Sequence, residues 1–193
     1  MARRFEKLST IQADIPLPKR STAKSAGYDI SIIHPLVYKL ITVNAMGLEE
    51  AWNTVKATNQ EVFYLPKEKK NFLFPTGLKA CMEDRNVLAL FIRSSVGVKQ
   101  EIKLSNQTGI IDADYYNNPD NEGHILVALD IPKRLTPGKK PSIIKDDEYS
   151  MARYLQFDGP FLRICQGIFL DYETTDDDSA SGDRKGGLGS TGH

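Results

Sequence analysis

The sequence predicts a mostly β domain carrying one inserted helix. Two observations predict it. Strand-length runs of β-branched and aromatic residues recur between turns bearing Gly, Pro and Asn, and one stretch changes to helical spacing. "GYDISII" (27–33) is the first such run and "EVFYL" (61–65) the second. Between them, in "NAMGLEEAWNTVKA" (44–57), Leu48, Trp52 and Val55 recur at the spacing of one helix face. Glu49, Glu50, Asn53 and Lys56 fall on the opposite face, so Trp52 is expected to pack into the core. "VLALFIR" (87–93), "HILVALDI" (124–131) and "RICQGIFLDY" (163–172) complete the strands. "FPTGLKA", "PDNEG" and "LTPGKKP" supply turn chemistry beside them. A weaker helical pattern covers "KDDEYSMARYL" (145–155).

A chain of 193 residues suits one β domain, here 1–172, with a tail at 173–193. The tail opens with "ETTDDDSASGD", which has too little apolar surface to fold and reads as a tether. Twenty-five basic residues balance twenty-five acidic ones, so total charge points to neither a nucleic-acid nor a membrane partner. Two cysteines are too few for a disulfide framework or a Cys-based zinc site, which favours a reduced, cytoplasmic setting. Three scattered histidines lack metal-ligand spacing, so a metal, if used, is a hard ion held by oxygens, such as Mg²⁺. No long apolar run marks a signal peptide or membrane span.

Chemistry concentrates in five blocks: "AGYDI" (26–30), "RSSVG" (93–97), "NQTGIIDADYY" (106–116), "RICQGIF" (163–169) and "GGLGSTG" (186–192). In the third, strand-like "GII" runs into Asp112, Asp114 and Tyr115, then into "NNPDNEG", which reads as a hairpin tip. If the strand continues that far, alternation puts Asp112 and Asp114 on one face. A carboxylate at a strand end can serve as a general base, or simply cap the turn. In the last block, Gly187–Gly192 has the glycine spacing of a phosphate loop without the Lys and the helix that complete one.

In this order and spacing the blocks resemble the five motifs of the trimeric dUTPase family, from Ala26 to Gly192. Insertions around 38–60 and 134–158 are like those of its bacterial and phage members. The resemblance implies a jelly-roll-like (β-clip) subunit, a homotrimer with shared active sites, and a C-terminal arm exchanged between subunits. It implies hydrolysis of dUTP to dUMP and diphosphate by in-line attack of water on the α-phosphorus, limiting uracil in DNA and supplying dUMP for dTMP synthesis. By similarity Asp112 activates the water. Arg93, Ser94, Ser95 and Gln166 hold phosphates, and Asp29 binds waters around Mg²⁺, which has no direct protein ligand. Asn106, Gly109, Ile110 and Ile111 read uracil, Tyr115 packs under the deoxyribose, and Ile125 joins the substrate-binding set. Arg184, Leu188, Gly189, Ser190 and Thr191 belong to a lid, in which Leu188 replaces the usual Phe; Ser95 likewise replaces a Gly. Two rival readings follow. A dCTP deaminase shares the fold and the "RSS" form of the second motif, but requires Glu where "GHILVA" has Ala128. A regulator-binding protein would use the insertions, as phage-borne relatives do; a plain structural insertion is the alternative.

Overall fold

The computed structural model describes residues 3–135 and 151–182. The principal sheet has the order β2-β3-β14-β7-β9, built from Lys19–Arg20 (β2), Tyr28–Ile33 (β3), Asn86–Ile92 (β7), Gly109–Asp112 (β9) and Phe161–Asp171 (β14). A second sheet, of order β5-β10-β8, joins Asn71–Pro75 (β5), Lys103–Leu104 (β8) and Leu126–Asp130 (β10). Smaller pairs link Arg4–Lys7 (β1) to Leu78–Cys81 (β6) and Val62–Tyr64 (β4) to Tyr154–Gln156 (β13). Arg134–Leu135 (β11) pairs with Met151–Ala152 (β12). Every ladder is antiparallel.

The predicted strands form where expected because their apolar sets interlock. Ile30 and Ile32 of β3, Leu88 of β7, Phe74 of β5, Leu129 of β10 and Ile164 of β14 are all fully buried. Each such side chain stabilises the fold by about 1.5–3 kcal/mol. At the centre, Gly167 leaves the space that a Cβ would contest with Ile30 and Leu88, whose Cδ1 atoms lie 2.9 Å from that position.

Three expectations need correction. The inserted segment holds two helices, Pro35–Val43 (α1) and Leu48–Ala57 (α2), not one. Pro35 supplies the fixed φ of a first turn, and His34 Nδ1 accepts the Leu36 N–H at 3.2 Å. Val37 and Ile41, four residues apart, bury one face of α1, and Ala51 and Val55 bury α2. Trp52 packs against the core as expected, edge-on to His34. The helix expected over 145–155 is absent where it can be checked. Met151–Ala152 and Tyr154–Gln156 are strands, and the rest lies outside the described residues. "NNPDNEG" is no hairpin tip, because β9 pairs with β7 and β10 with β5 and β8, so the segment crosses between sheets. A third helix, Ser94–Gln100 (α3), follows β7 directly.

Candidate active site

At one end of the principal sheet three strands align a row of side chains. Asp29 of β3 stands opposite Gln166 of β14, which stands opposite Phe91 of β7. Gly27 makes room for Gln166: a Cβ there would lie 2.6 Å from Gln166 Oε1. A β-bulge between Arg163 and Cys165 shifts the register, so that Arg163 stands opposite Ser31 while Gln166 stands opposite Asp29. Residues three apart on a regular strand point to opposite faces; the extra residue brings Arg163 onto the face of Gln166 and Asp29. Asp29 is then gripped from three sides. Its Oδ1 lies 3.2 Å from Arg93 Nε, its Oδ2 3.7 Å from the Arg163 guanidinium, and Ser21 Oγ donates to Oδ2 at 3.1 Å.

Arg93 is fixed by its backbone. Its N–H donates to the bulged Ile164 carbonyl at 3.0 Å, and its own carbonyl accepts the Val96 and Gly97 N–H groups that open α3. Ser94 and Ser95 are exposed in that first turn. A cleft of about 530 Å³ beside the row is lined by Lys19, Arg20, Ser21, Asp29, Ser31 and Arg163 among others. Three cations against one carboxylate suit a polyanion, and guanidinium groups can hold phosphate oxygens in pairs. Beneath the row, burial pushes the Cys165 thiol up to about 12, with the Asp29 charge adding to the effect, so this thiol stays protonated.

The rest of the predicted set lies on β9 and in the segments around it. β9 is the last strand of its sheet, so alternate backbone groups of Gly109–Asp112 face outward, away from the ladder with β7. Gly109 is pressed against Leu90, 3.1 Å from where a Cβ would stand, and Ile110 is exposed. Asn106 lies exposed in the turn before β9, its carbonyl accepting the Thr108 N–H at 2.7 Å. The strand ends at Asp112, which is half-buried, and a 3-10 turn, Ala113–Tyr115, begins. Asp112 and Asp114 therefore do not share a strand face, contrary to the sequence expectation, and only Asp112 keeps its strand-end position.

Tyr115 is buried, with its hydroxyl donating to the His124 carbonyl at 3.2 Å and accepting from Asn121 Nδ2 at 2.8 Å. Gly123 makes this close approach feasible: its φ is +78°, and a Cβ would lie 2.3 Å from the Tyr115 carbonyl oxygen. Ile125 is fully buried, with its N–H donating to Leu78 O at 2.8 Å and its carbonyl accepting from Thr76 Oγ1 at 2.6 Å. It anchors the segment from inside the core. Ala128, where a deaminase requires Glu, lies in β10 opposite Leu73.

Gly109, opposite Leu90, stands one residue along β7 from the row of Gln166 and Phe91, but Asp112 does not. Asp112 stands opposite Val87, whereas Gln166 stands opposite Phe91, four residues further along β7. At ~3.3 Å per residue and ~4.8 Å per strand, Asp112 is about 13 Å along and 14 Å across the sheet from Asp29. Arg184, Leu188, Gly189, Ser190 and Thr191 lie outside the described residues. The residue that sequence reasoning missed is Arg163, whose position in the fourth block was visible but whose face depends on the bulge. Among the described residues no group of three or more His, Cys, Asp or Glu could cage a metal ion, and no helix is long and apolar enough to cross a membrane.

No protein-family model matches the chain. It is 36% identical over 182 residues to the deoxyuridine 5'-triphosphate nucleotidohydrolase of Lactococcus lactis subsp. lactis, spanning 93% of this chain and 90% of that relative. Among solved structures, the dUTPase of Streptococcus mutans is 28% identical with a TM-score of 0.58, covering 90% of this chain and 98% of the other. A dUTPase from phage phi11 of S. aureus, for which coordination of a structural Mg(II) ion is described, is 15% identical with a TM-score of 0.52. That match covers 94% of this chain and 98% of the phage chain, and at such identity it speaks for the fold alone.

Proposed function

The chain belongs to the deoxyuridine 5'-triphosphate nucleotidohydrolase family, and from that premise we propose that it cleaves dUTP to dUMP and diphosphate at sites shared between three identical subunits. The observation that carries this reading is the separation of two carboxylates: Asp112 and Asp29 stand about 20 Å apart on one sheet, by strand geometry. A water-activating carboxylate that far from the carboxylate proposed to hold the waters of the metal serves the same triphosphate only when the two come from different copies. Closed rotational symmetry then repeats that site at every interface.

In the proposed mechanism the nucleotide spans the interface. The outward backbone of Gly109–Ile111, together with Asn106, matches the donor and acceptor pattern of uracil. Cytosine would leave buried polar groups unpaired, and such mismatches cost factors of about 10⁴. The Tyr115 ring packs under the deoxyribose and leaves no room for a 2′-hydroxyl. On the phosphate side, Arg93, Ser94, Ser95 and Gln166 take the triphosphate oxygens, and Arg163 joins them. Asp112 accepts the proton of a water as its oxygen forms a bond to the α-phosphorus; the bond from that phosphorus to the bridging oxygen breaks, and diphosphate leaves. Positioning and charge neutralisation do most of such work.

The donor set suits Mg²⁺ carried on the triphosphate: Asp29 is a single hard carboxylate facing the cleft, with no second acidic residue on its walls among the described residues. When bound, the ion neutralises phosphate charge, and Asp29 would hold its waters. Residues Arg184 and Leu188 to Thr191 would complete the site as a lid, wrapping phosphates with backbone N–H groups and hydroxyls. The product dUMP would feed dTMP synthesis while the removal of dUTP limits uracil in DNA.

The test is Asp112→Asn, which keeps shape and hydrogen-bonding reach but removes the base. Turnover of dUTP should fall by about 10²- to 10⁴-fold, with the dissociation constant of a non-hydrolysable dUTP analogue nearly unchanged. Equal losses in both would give Asp112 a binding role. Ammonia release from dCTP by the wild type would replace the hydrolase reading with deamination.

A further inference from the structure

Tyr38 of the inserted helix α1 reaches His124, whose carbonyl holds the Tyr115 hydroxyl. Tyr38, half-buried on α1, stacks on the His124 imidazole with ring centroids 5.5 Å apart and planes 26° apart. Its hydroxyl lies 3.5 Å from His124 Nδ1. On the opposite side, His124 Nε2 accepts the Gly77 N–H at 3.1 Å. A nitrogen that accepts a backbone N–H carries no proton, so the neutral ring bears its proton on Nδ1, facing Tyr38. Burial favours the same state, holding His124 at about 4. The imidazole is thus clamped between an aromatic face and a main-chain donor, with each ring nitrogen having a partner.

What the clamp holds is the main chain of His124. Its carbonyl accepts the Tyr115 hydroxyl at 3.2 Å, and its N–H donates to Asn121 O at 3.0 Å. Asn121 in turn donates its side-chain amide to the same Tyr115 hydroxyl at 2.8 Å. Any rotation of residue 124 therefore displaces both partners of the Tyr115 hydroxyl, and with them the ring. Gly123 leaves the Tyr115 main chain no slack to compensate.

We propose that Tyr38 and His124 are positioning residues for Tyr115, so that the inserted helix sets how closely the Tyr115 ring meets the sugar and hence how strongly a 2′-hydroxyl is refused. The inference deepens the reading of Tyr115 as the deoxyribose contact and rests on it. It gives the insertion a task inside the enzyme: α1 supplies the outer jaw of the clamp, and α2 holds α1 against the core through Ala51 and Val55. Tyr38 touches no substrate; it acts through His124.

The experiment measures kcat and KM for dUTP, and the preference for dUTP over UTP, in wild type, Tyr38→Phe, Tyr38→Ala, Tyr115→Ala and the double variant Tyr38→Ala/Tyr115→Ala. Tyr115→Ala should weaken the preference most. Tyr38→Ala should raise the KM for dUTP and lower the preference by about 3- to 30-fold, the range expected when a residue acts through a packed neighbour, with a smaller change in kcat. Tyr38→Phe keeps the stacked ring and should restore most of both. In the double variant the losses should fall well short of additive, because Tyr38 has no ring left to position. If Tyr38→Ala leaves the preference unmoved, or its effect adds fully to that of Tyr115→Ala, the clamp is structural only and the proposal fails while the sugar contact stands. If Tyr115→Ala itself leaves the preference unmoved, the sugar contact fails and takes this proposal with it. Should Tyr38→Ala not assemble, Tyr38→Leu, which keeps apolar bulk without a ring, is read by the same outcomes.

Discussion

The interior and the edge of the principal sheet offer a ligand different kinds of group. At the phosphate end, charged side chains stand on interior strands. Asp29, Gln166 and Phe91 lie in register across three of them, and Arg93 hangs from the bulge between two. At the nucleoside end the working groups belong to the backbone of an edge strand, and the bracing comes from neutral hydrogen bonds around Tyr115. Interior strands spend their N–H and C=O groups on neighbours, so they present only side chains; an edge strand keeps half of its backbone groups for a ligand. Side chains suit phosphate, a polyanion without directional detail. A base edge needs donors and acceptors at fixed intervals, which a strand backbone supplies. One sheet holds both kinds of surface, and the distance from Asp29 to Asp112 at the far end of the edge strand supports a site completed between copies.

The largest effect comes from breaking the two ends in separate chains. Arg93→Ala removes a proposed phosphate contact, Asp112→Asn the proposed base, and each variant alone should lose turnover by about 10²-fold or more. Co-refolding the two variants in equal amounts should restore about a quarter of wild-type turnover, the chance that random mixing in a symmetric oligomer pairs an intact phosphate half with an intact nucleoside half. Recovery measured on the co-refolded mixture decides between a shared and a single-chain site. A mixture no more active than its parents would place both halves' partners within one chain.

How much of this was legible in the sequence depends on the kind of surface. The runs at 27–33, 87–93, 124–131 and 163–172 became β3, β7, β10 and β14, because strands buried by two layers are continuously apolar. α1 was missed although Pro35, with Val37 and Ile41 four apart, carried the signal; its β-branched residues suit a strand equally well. α3 was missed because Ser94–Gln100 contains Gly97 and two valines, and only the Arg93 carbonyl and the chain's exit from β7 set its start. In the candidate site Asp29, Arg93 and Gln166 were legible as motif residues, whereas Arg163 was not. Alternation assigns it to the wrong face, and a bulge is not encoded in any one residue. The shared face proposed for Asp112 and Asp114 failed for a similar reason, since the strand stops at Asp112.

A smaller loss should follow from crowding one side chain at the phosphate end. Gly27→Ala adds a single methyl where Gln166 now lies, 2.6 Å from Oε1 and 3.0 Å from its Cβ. The amide must swing away, and the phosphate contacts proposed for it go with it. KM for dUTP should rise by about tenfold, the worth of one charge-assisted hydrogen bond. Gln166→Ala should cost the same, and the double variant no more than either alone. Steady-state kinetics on the three proteins decide it; additive losses would mean that Gly27 serves something other than Gln166.

An effect that leaves activity at neutral pH untouched concerns stability and distinguishes the two regions by their response to acid. His124, at the nucleoside end, is held at about 4, against an ordinary value of 6.5. Burial is the cause, partly opposed by the Glu122 carboxylate; Tyr38, on the facing helix, is neutral throughout this range because burial raises its pKa. Between pH 6.5 and 4 the unfolded chain therefore binds a proton that the folded chain refuses, so stability falls as pH falls through that window and is level above it. The full window corresponds to about 3 kcal/mol. His34, shifted down by burial in the core, adds to the same slope, and Glu122, shifted down chiefly by the Ser9 N–H and hydroxyl, adds at its acid edge. His124→Gln keeps an acceptor for the Gly77 N–H but cannot titrate. Its unfolding free energy, followed by denaturant titration from pH 7.5 to 4.5, should decline less than the wild type's and retain the part due to the other groups shifted down, His34, Glu122 and Glu6 among them. Gln166→Ala, at the phosphate end, should leave the wild-type slope intact. Parallel profiles for wild type and His124→Gln would show that the imidazole titrates freely in the fold, and a freely titrating ring cannot be the fixed support on which the Tyr115 hydroxyl depends.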